Sequence, residues 1–188
     1  MPNDDWLTRA RERWTWRGSR RESDGTGAQR PDFAIEPGPG QESVWDYPRP
    51  PALVRDAREV LVRYRDVEIA RSRATIRVLE TSHPPTFYIP RADVRGDQLT
   101  RAAGQSFCEW KGACSYYDVA GLARAGWSYE APFPEAEIIR GHLAFYATEL
   151  ECFVDGERVR PQAGGFYAGW ITSELVGPFK GDPGTSNW

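Results

Sequence analysis

Residues 58–79 read R-E-V-L-V-R-Y-R-D-V-E-I-A-R-S-R-A-T-I-R-V-L. Val60, Val62 and Tyr64 fall on one side of this stretch and Glu59, Leu61 and Arg63 on the other. The alternation resumes with Val67 and Ile69 against Glu68 and Ala70. A period of two places alternate side chains on opposite faces of a strand. Arg65 and Asp66 fit a tight turn between two such strands, and Thr75 to Leu79 continues the pattern, which predicts an antiparallel meander. Further strands are predicted over 86–89, 115–119, 142–147 and 149–154. The Asp155-Gly156 pair is a type I′ hairpin signal joining 149–154 to 158–160. One short helix is predicted from Pro134, with Glu135 and Glu137 in its first turn and Gly141 just past its end. The expected fold is mainly β.

Composition narrows the choice of core. The 188 residues suit one domain or one domain with tails. There are 8 Trp, 8 Tyr and 8 Phe, nearly as many rings as the 27 Leu, Ile and Val together, which excludes an aliphatic helical bundle or coiled coil. The longest apolar candidate for a membrane span, 161–173, is broken by Gly, Gln and Thr, so a soluble protein is expected. The basic residues are 22 Arg and only two Lys, Lys111 and Lys180, and the net charge is −3. Three cysteines (Cys108, Cys114, Cys152) form no close C-x-x-C pair, and the acidic start at Asp4 and Asp5 is unlike a signal peptide. A reducing, cytoplasmic setting is expected.

Three regions follow. Residues 1–17 read as an amphipathic helical arm: Asn3 caps it, and Trp6, Ala10 and Trp14 recur at spacing four. Residues 18–44 are rich in Gly, Pro and charge and read as a flexible linker. Residues 45–188 form the body.

No phosphate-cradling glycine loop, H-E-x-x-H pair or G-x-S-x-G elbow is present. His83, His142 and the three cysteines lack structural-zinc spacing, so neither a metal nor another cofactor is expected. Three segments crowd reactive polar groups and rings among turn formers. They are Glu80-Thr-Ser-His-Pro-Pro-Thr-Phe-Tyr-Ile-Pro90, Phe107-Cys-Glu-Trp-Lys-Gly-Ala-Cys-Ser-Tyr-Tyr117 and Trp127-Ser-Tyr-Glu-Ala-Pro-Phe-Pro134. In this order they resemble the hallmark blocks of the bacterial family called domain of unknown function 427, and Glu135 to Tyr146 resembles a fourth block. The similarity spans roughly Val60 to Glu149. The tail from Gly165 to Gly181 resembles that of longer members. The resemblance implies coiled antiparallel sheets similar to a β-tent. It also carries a nucleotidyltransferase-like label, although the clustered carboxylates that would hold metal ions beside a phosphate are not visible in this sequence.

Within these blocks His83 is the one group that titrates near neutrality when unperturbed. It reads either as a ligand-contacting base or as a histidine satisfied by a neighbouring loop. Lys111 reads as an anion or carbonyl contact or as a solvated turn residue. Trp110, Tyr116, Trp127 and Tyr129 line a pocket for a flat or cationic ligand, or simply pack the core. These six residues form the candidate binding site for an unidentified small molecule. An enzyme using His83 for acid/base work and Lys111 for charge stabilisation is the first alternative. The second is an interaction module acting through the arm, where Arg9, Arg11, Arg13, Arg17, Arg20 and Arg21 surround Trp14 and Trp16. Docking of the arm on its own body or on a second copy is preferred to nucleic-acid binding, because the overall charge is acidic and no groove-reading motif is present.

Overall fold

The structure is a computed structural model that describes residues 4–15 and 30–185. Helix α1 (Asp4–Thr15) is followed by strands β1 (Glu42–Ser43), β2 (Ala52–Asp56), β3 (Val60–Tyr64), β4 (Val67–Ser72) and β5 (Thr75–Leu79). Next come β6 (Thr86–Tyr88), β7 (Leu99–Cys108), β8 (Gly112–Val119), β9 (Leu122–Ser128) and β10 (Leu143–Phe145). The chain ends with β11 (Glu151–Val154), β12 (Glu157–Arg158), β13 (Arg160–Pro161), β14 (Trp170–Ile171) and β15 (Leu175–Val176). Two four-stranded antiparallel sheets, β12-β11-β3-β4 and β10-β9-β8-β7, dominate, with a three-stranded sheet β2-β5-β6. The expected mainly β class of coiled antiparallel sheets, with a helical N-terminal arm, is present, and among the described residues no helix is long and apolar enough to cross a membrane.

The meander is half right. The strands β3 and β4 pair through the Arg65-Asp66 turn, with Arg65 at φ 52°. Instead of continuing the same sheet, β5 pairs with β2 and β6. Ser72 explains the break: its hydroxyl accepts from the Ala74 amide at 3.0 Å and donates to Asp93 at 2.5 Å, turning the chain out of the ladder. A bulge also interrupts the alternation, since Val62 faces Ala70 while Arg63 faces Glu68. Ile69 and Ala70 are both buried as a result, and Val67, placed by the alternation on the same side as Ile69, is exposed. The Asp155-Gly156 hairpin forms as expected, with both residues at positive φ (45° and 81°). The strand expected over 158–160 is divided: β12 pairs with β11, and β13 leaves to pair with β14.

The expected body helix is a six-residue 3-10 helix, Pro134–Ile139. Its ends are tied, since the Phe133 amide donates to the Lys111 carbonyl at 3.1 Å and the Gly141 amide to Tyr129 at 3.0 Å. A 3-10 helix rises further per residue than an α-helix, so six residues cover the fixed span.

One apolar cluster joins the two large sheets through Val60, Val62, Phe87, Val119, Phe145 and Trp170. Trp170 is fully buried, stacks on Phe87 at 5.2 Å and donates its indole N–H to the Phe145 carbonyl at 3.0 Å. A second cluster includes Ile76, Tyr88, Trp127, Tyr129 and Ile139. Before the body proper, Arg30 forms a two-pronged ion pair with Asp46 at 2.7 and 2.8 Å, and β1 pairs in parallel with β15. The α1 helix lies against its own body: Trp6 meets Phe107 edge-on at 5.4 Å, and Arg11 donates to the Glu109 carbonyl at 2.7 Å. The Arg11 guanidinium also sits 4.8 Å from the Phe133 ring centre and 5.6 Å from that of Trp110. Asn3, Trp16, Arg17, Arg20 and Arg21, and the side chain of Trp14, lie outside the described residues.

Candidate ligand-binding cavity

The β7–β8 hairpin pairs Cys108 with Gly112, leaving Glu109, Trp110 and Lys111 as its turn. Gly112 adopts φ +96°, a backbone conformation that favours glycine, and the bond from Phe133 fixes the carbonyl of Lys111. Opposite this hairpin, residues 80–83 form a turn closed by the His83 amide donating to the Glu80 carbonyl at 3.0 Å. That turn is held by the rest of the chain: Arg49 donates to the Thr81 carbonyl at 2.8 Å, and the Lys180 amide to that of Ser82 at 2.8 Å. Between hairpin and turn lies a cavity of about 340 Å³.

All six sequence-derived candidates line it: His83, Trp110, Lys111, Tyr116, Trp127 and Tyr129. Trp127 packs against Tyr146 at 4.7 Å and donates its N–H to the Tyr88 hydroxyl at 3.2 Å. The Tyr116 hydroxyl is 2.8 Å from that of Ser106, and the Arg124 guanidinium lies 4.1 Å from the Tyr116 ring centre. Trp110 is buried, and its indole N–H has no hydrogen-bond partner among the described residues. Such an orphaned donor costs about 1–3 kcal/mol when nothing meets it.

Among the lining residues that the sequence reading did not single out as site residues are Arg49, Glu80, Gln162 and Lys180. Arg49 and Glu80 form an ion pair at 3.2 Å. One signal was present, the scarcity of lysine. Both lysines of the chain, against 22 arginines, line this cavity, and both are buried.

Gln162 fixes the state of His83. Its Oε1 accepts from the Gly169 amide at 3.0 Å, while its Nε2 donates to the Lys180 carbonyl at 2.7 Å and contacts His83 Nδ1 at 3.0 Å. With the amide oriented by two backbone groups, Nδ1 is the acceptor and the neutral ring carries its proton on Nε2. Burial, with Arg49, Lys180 and Lys111 nearby, pushes the His83 pKa down to about 4 against the opposing pull of Glu80. His83 is thus a neutral donor at pH 7. Burial favours the protonated acid at Glu80. Lys111, Arg49 and Lys180, together with His83 when charged, outweigh this and hold the Glu80 pKa below its ordinary value. Burial likewise disfavours the Lys111 cation, but the combined pull of Cys108, Tyr88 and Glu80 raises its pKa, so it stays charged.

The cavity interior is consequently ring-walled, with three cations, two carboxylates (Glu80 and Glu109) and one neutral imidazole donor. Fold and cavity define a mainly β protein with a preformed recess of small-molecule size. This chain belongs to the family described as domain of unknown function DUF427, whose sequence profile matches residues 52–159, more than half of its length. No curated protein matches it.

Proposed function

We propose that this protein binds a small, flat molecule carrying a negatively charged group, with its ring against Trp127, Tyr129 or Tyr116 and its anion toward Lys111, Lys180 and Arg49. The observation that carries the reading is the enclosure of both lysines in an aromatic cavity. Lysine in a buried wall pays a desolvation cost that a solvated arginine elsewhere would avoid. Three cations against two carboxylates, Glu80 and Glu109, leave the wall net positive, which argues against the cationic ligands that the rings alone would admit. The volume of about 340 Å³ lies within the usual range for small-ligand sites, roughly 300–1,000 Å³. The test is thermal stabilisation by benzoate and larger aromatic carboxylates, beside the matching amides and benzyltrimethylammonium. Anions are expected to raise the melting temperature, and Lys180→Gln to weaken that shift. Equal shifts from all three classes, or none, would sink the proposal.

A second reading, an enzyme, is favoured by His83 and Lys111 lining one cavity. In it His83 acts as a neutral hydrogen-bond donor to a substrate oxygen rather than as a base, because Nδ1 is occupied by Gln162. Lys111 balances negative charge on the same substrate. Turnover of an aromatic carboxylate that is abolished by His83→Ala, with binding retained, is the expected result. Binding without turnover in any such compound set leaves the first reading alone.

A further inference from the structure

Two thiols line the cavity, Cys108 and Cys114, and Cys108 is the more exposed of them, a nucleophile that simple binding leaves unused. It sits at the end of β7, three residues before Lys111 and opposite Gly112, so the hairpin turn brings the two side chains onto the same cavity. Lys111 and Tyr129 line the same cavity as Cys108, and the Lys111 ammonium is 5.9 Å from the Tyr129 ring centre. The other thiols differ. Cys114 and Cys152 are buried, with 3% and 1% of their surface accessible, whereas Cys108 is only partly buried. Burial pushes the Cys114 thiol up to about 11, and Cys152 is raised further by the same cause. Tyr129 keeps its proton, since burial raises its pKa well above the ordinary value. The buried indole N–H of Trp110, two residues from Cys108 in the same turn, has no partner among the described residues.

We propose that Cys108 captures aldehydes held in this cavity, its sulfur adding to the carbonyl carbon to give a thiohemiacetal. The carbon–oxygen π bond opens as the sulfur–carbon bond forms, and the thiol proton ends on the former carbonyl oxygen. Nothing is oxidised or reduced, and no group leaves. Lys111 balances the charge of the oxyanion as it forms, while the Tyr129 hydroxyl donates to the same oxygen. Lys111 itself is held as an ammonium and so is a poor amine nucleophile toward the same carbonyl.

The inference rests on the cavity being a ligand site, and the test separates the two. The full-length protein is treated with iodoacetamide at pH 7.5 and the adducts are mapped by mass spectrometry. Labelling of Cys108 is expected about tenfold faster than that of glutathione, with Cys114 and Cys152 unlabelled, and Lys111→Gln is expected to remove the advantage. Next, 4-carboxybenzaldehyde is expected to protect Cys108 reversibly. Cys108→Ser should keep its affinity for 4-methylbenzoate, and loss of that binding in the native protein would count against the binding reading alone. Labelling no faster than glutathione overturns the proposal. So does a rate unchanged in Lys111→Gln, or a borohydride-trapped amine on Lys111.

Discussion

The side-chain amide of Gln162 meets Nδ1 of His83 at 3.0 Å, joining two residues that are 79 positions apart in the chain. Because the same amide is also held by the Gly169 N–H and the Lys180 carbonyl, it cannot turn over without losing both bonds. The tail thereby dictates which nitrogen of a histidine in another block carries the proton.

A pH dependence follows. The His83 pKa, about 4 in the folded state, lies below its unfolded value of 6.5. Between these values the unfolded chain binds the extra proton, so stability falls as pH drops from about 6.5 to 4 and the His83 effect then levels off. The change is of order 3 kcal/mol from this group. Glu80, with its pKa lowered, adds a second loss as pH falls through its folded value. Urea unfolding of the native protein and His83→Asn across pH 4–7 checks this, and the variant should lose the slope above pH 4.5.

Gln162→Glu replaces the donor with an acceptor and a negative charge beside Nδ1. The His83 pKa should rise by more than one unit, read by imidazole proton NMR. Only His142 shares that spectral region, since the chain has 2 His. An unchanged titration would show that the amide does not set the ring's state.

Gly169 permits the tail to touch the H-P-P block. A Cβ there would meet the Pro84 carbonyl at 2.5 Å and Gln162 Oε1 at 2.6 Å. Gly169→Ala should therefore cost about 1–3 kcal/mol in denaturant unfolding, the usual range for overpacking. It should also weaken benzoate-dependent stabilisation, because the clamp on His83 moves with it.

Two tryptophans should separate packing from recognition. Trp170→Ala empties a fully buried site that stacks on Phe87, and is expected to cost about 3–5 kcal/mol. Trp110→Phe keeps most of the ring and deletes an N–H that has no partner among the described residues. Its stability in the absence of ligand should stay within about 1 kcal/mol of the native protein, while the ligand-induced thermal shift changes.

Deletion of residues 1–15 uncovers Phe107, Trp110 and Phe133, against which Trp6 and Arg11 pack. The body should remain folded by far-ultraviolet circular dichroism, with greater quenching of tryptophan fluorescence by iodide. Sedimentation of the intact chain and the deletion also tests the arm as a contact between copies: self-association present in the first and lost in the second would support it.

Much of this architecture was legible in local sequence. Strict alternation marked β3, and two residues suited to positive φ marked the β11–β12 turn. Aromatic blocks marked the hairpin and turn that face each other across the cavity. What stayed hidden is non-local. Nothing near Ser72 signals that its hydroxyl will bond Asp93 and send β5 to another sheet. The bulge at Ile69 and Ala70 depends on how β3 and β4 register, not on either strand alone. Arg49 and Gln162 carry no motif, and their placement, like that of Lys180, depends on the tail returning across the H-P-P turn.

The pairing of β1 with β15 draws the two flanks of the chain together outside the family-matched stretch of 52–159. Arg49 precedes that stretch, and Gln162 and Lys180 follow it. A fragment cut at its borders would retain Trp110, Tyr116, Trp127, Tyr129, Glu80, His83 and Lys111, yet lose Phe166, Tyr167, two of three cations and the lock on the imidazole. Most of the ring wall and most of its positive charge thus come from different parts of the chain. On the proposed binding function, changing the flanks alone would alter the charge that the recess presents to a ligand.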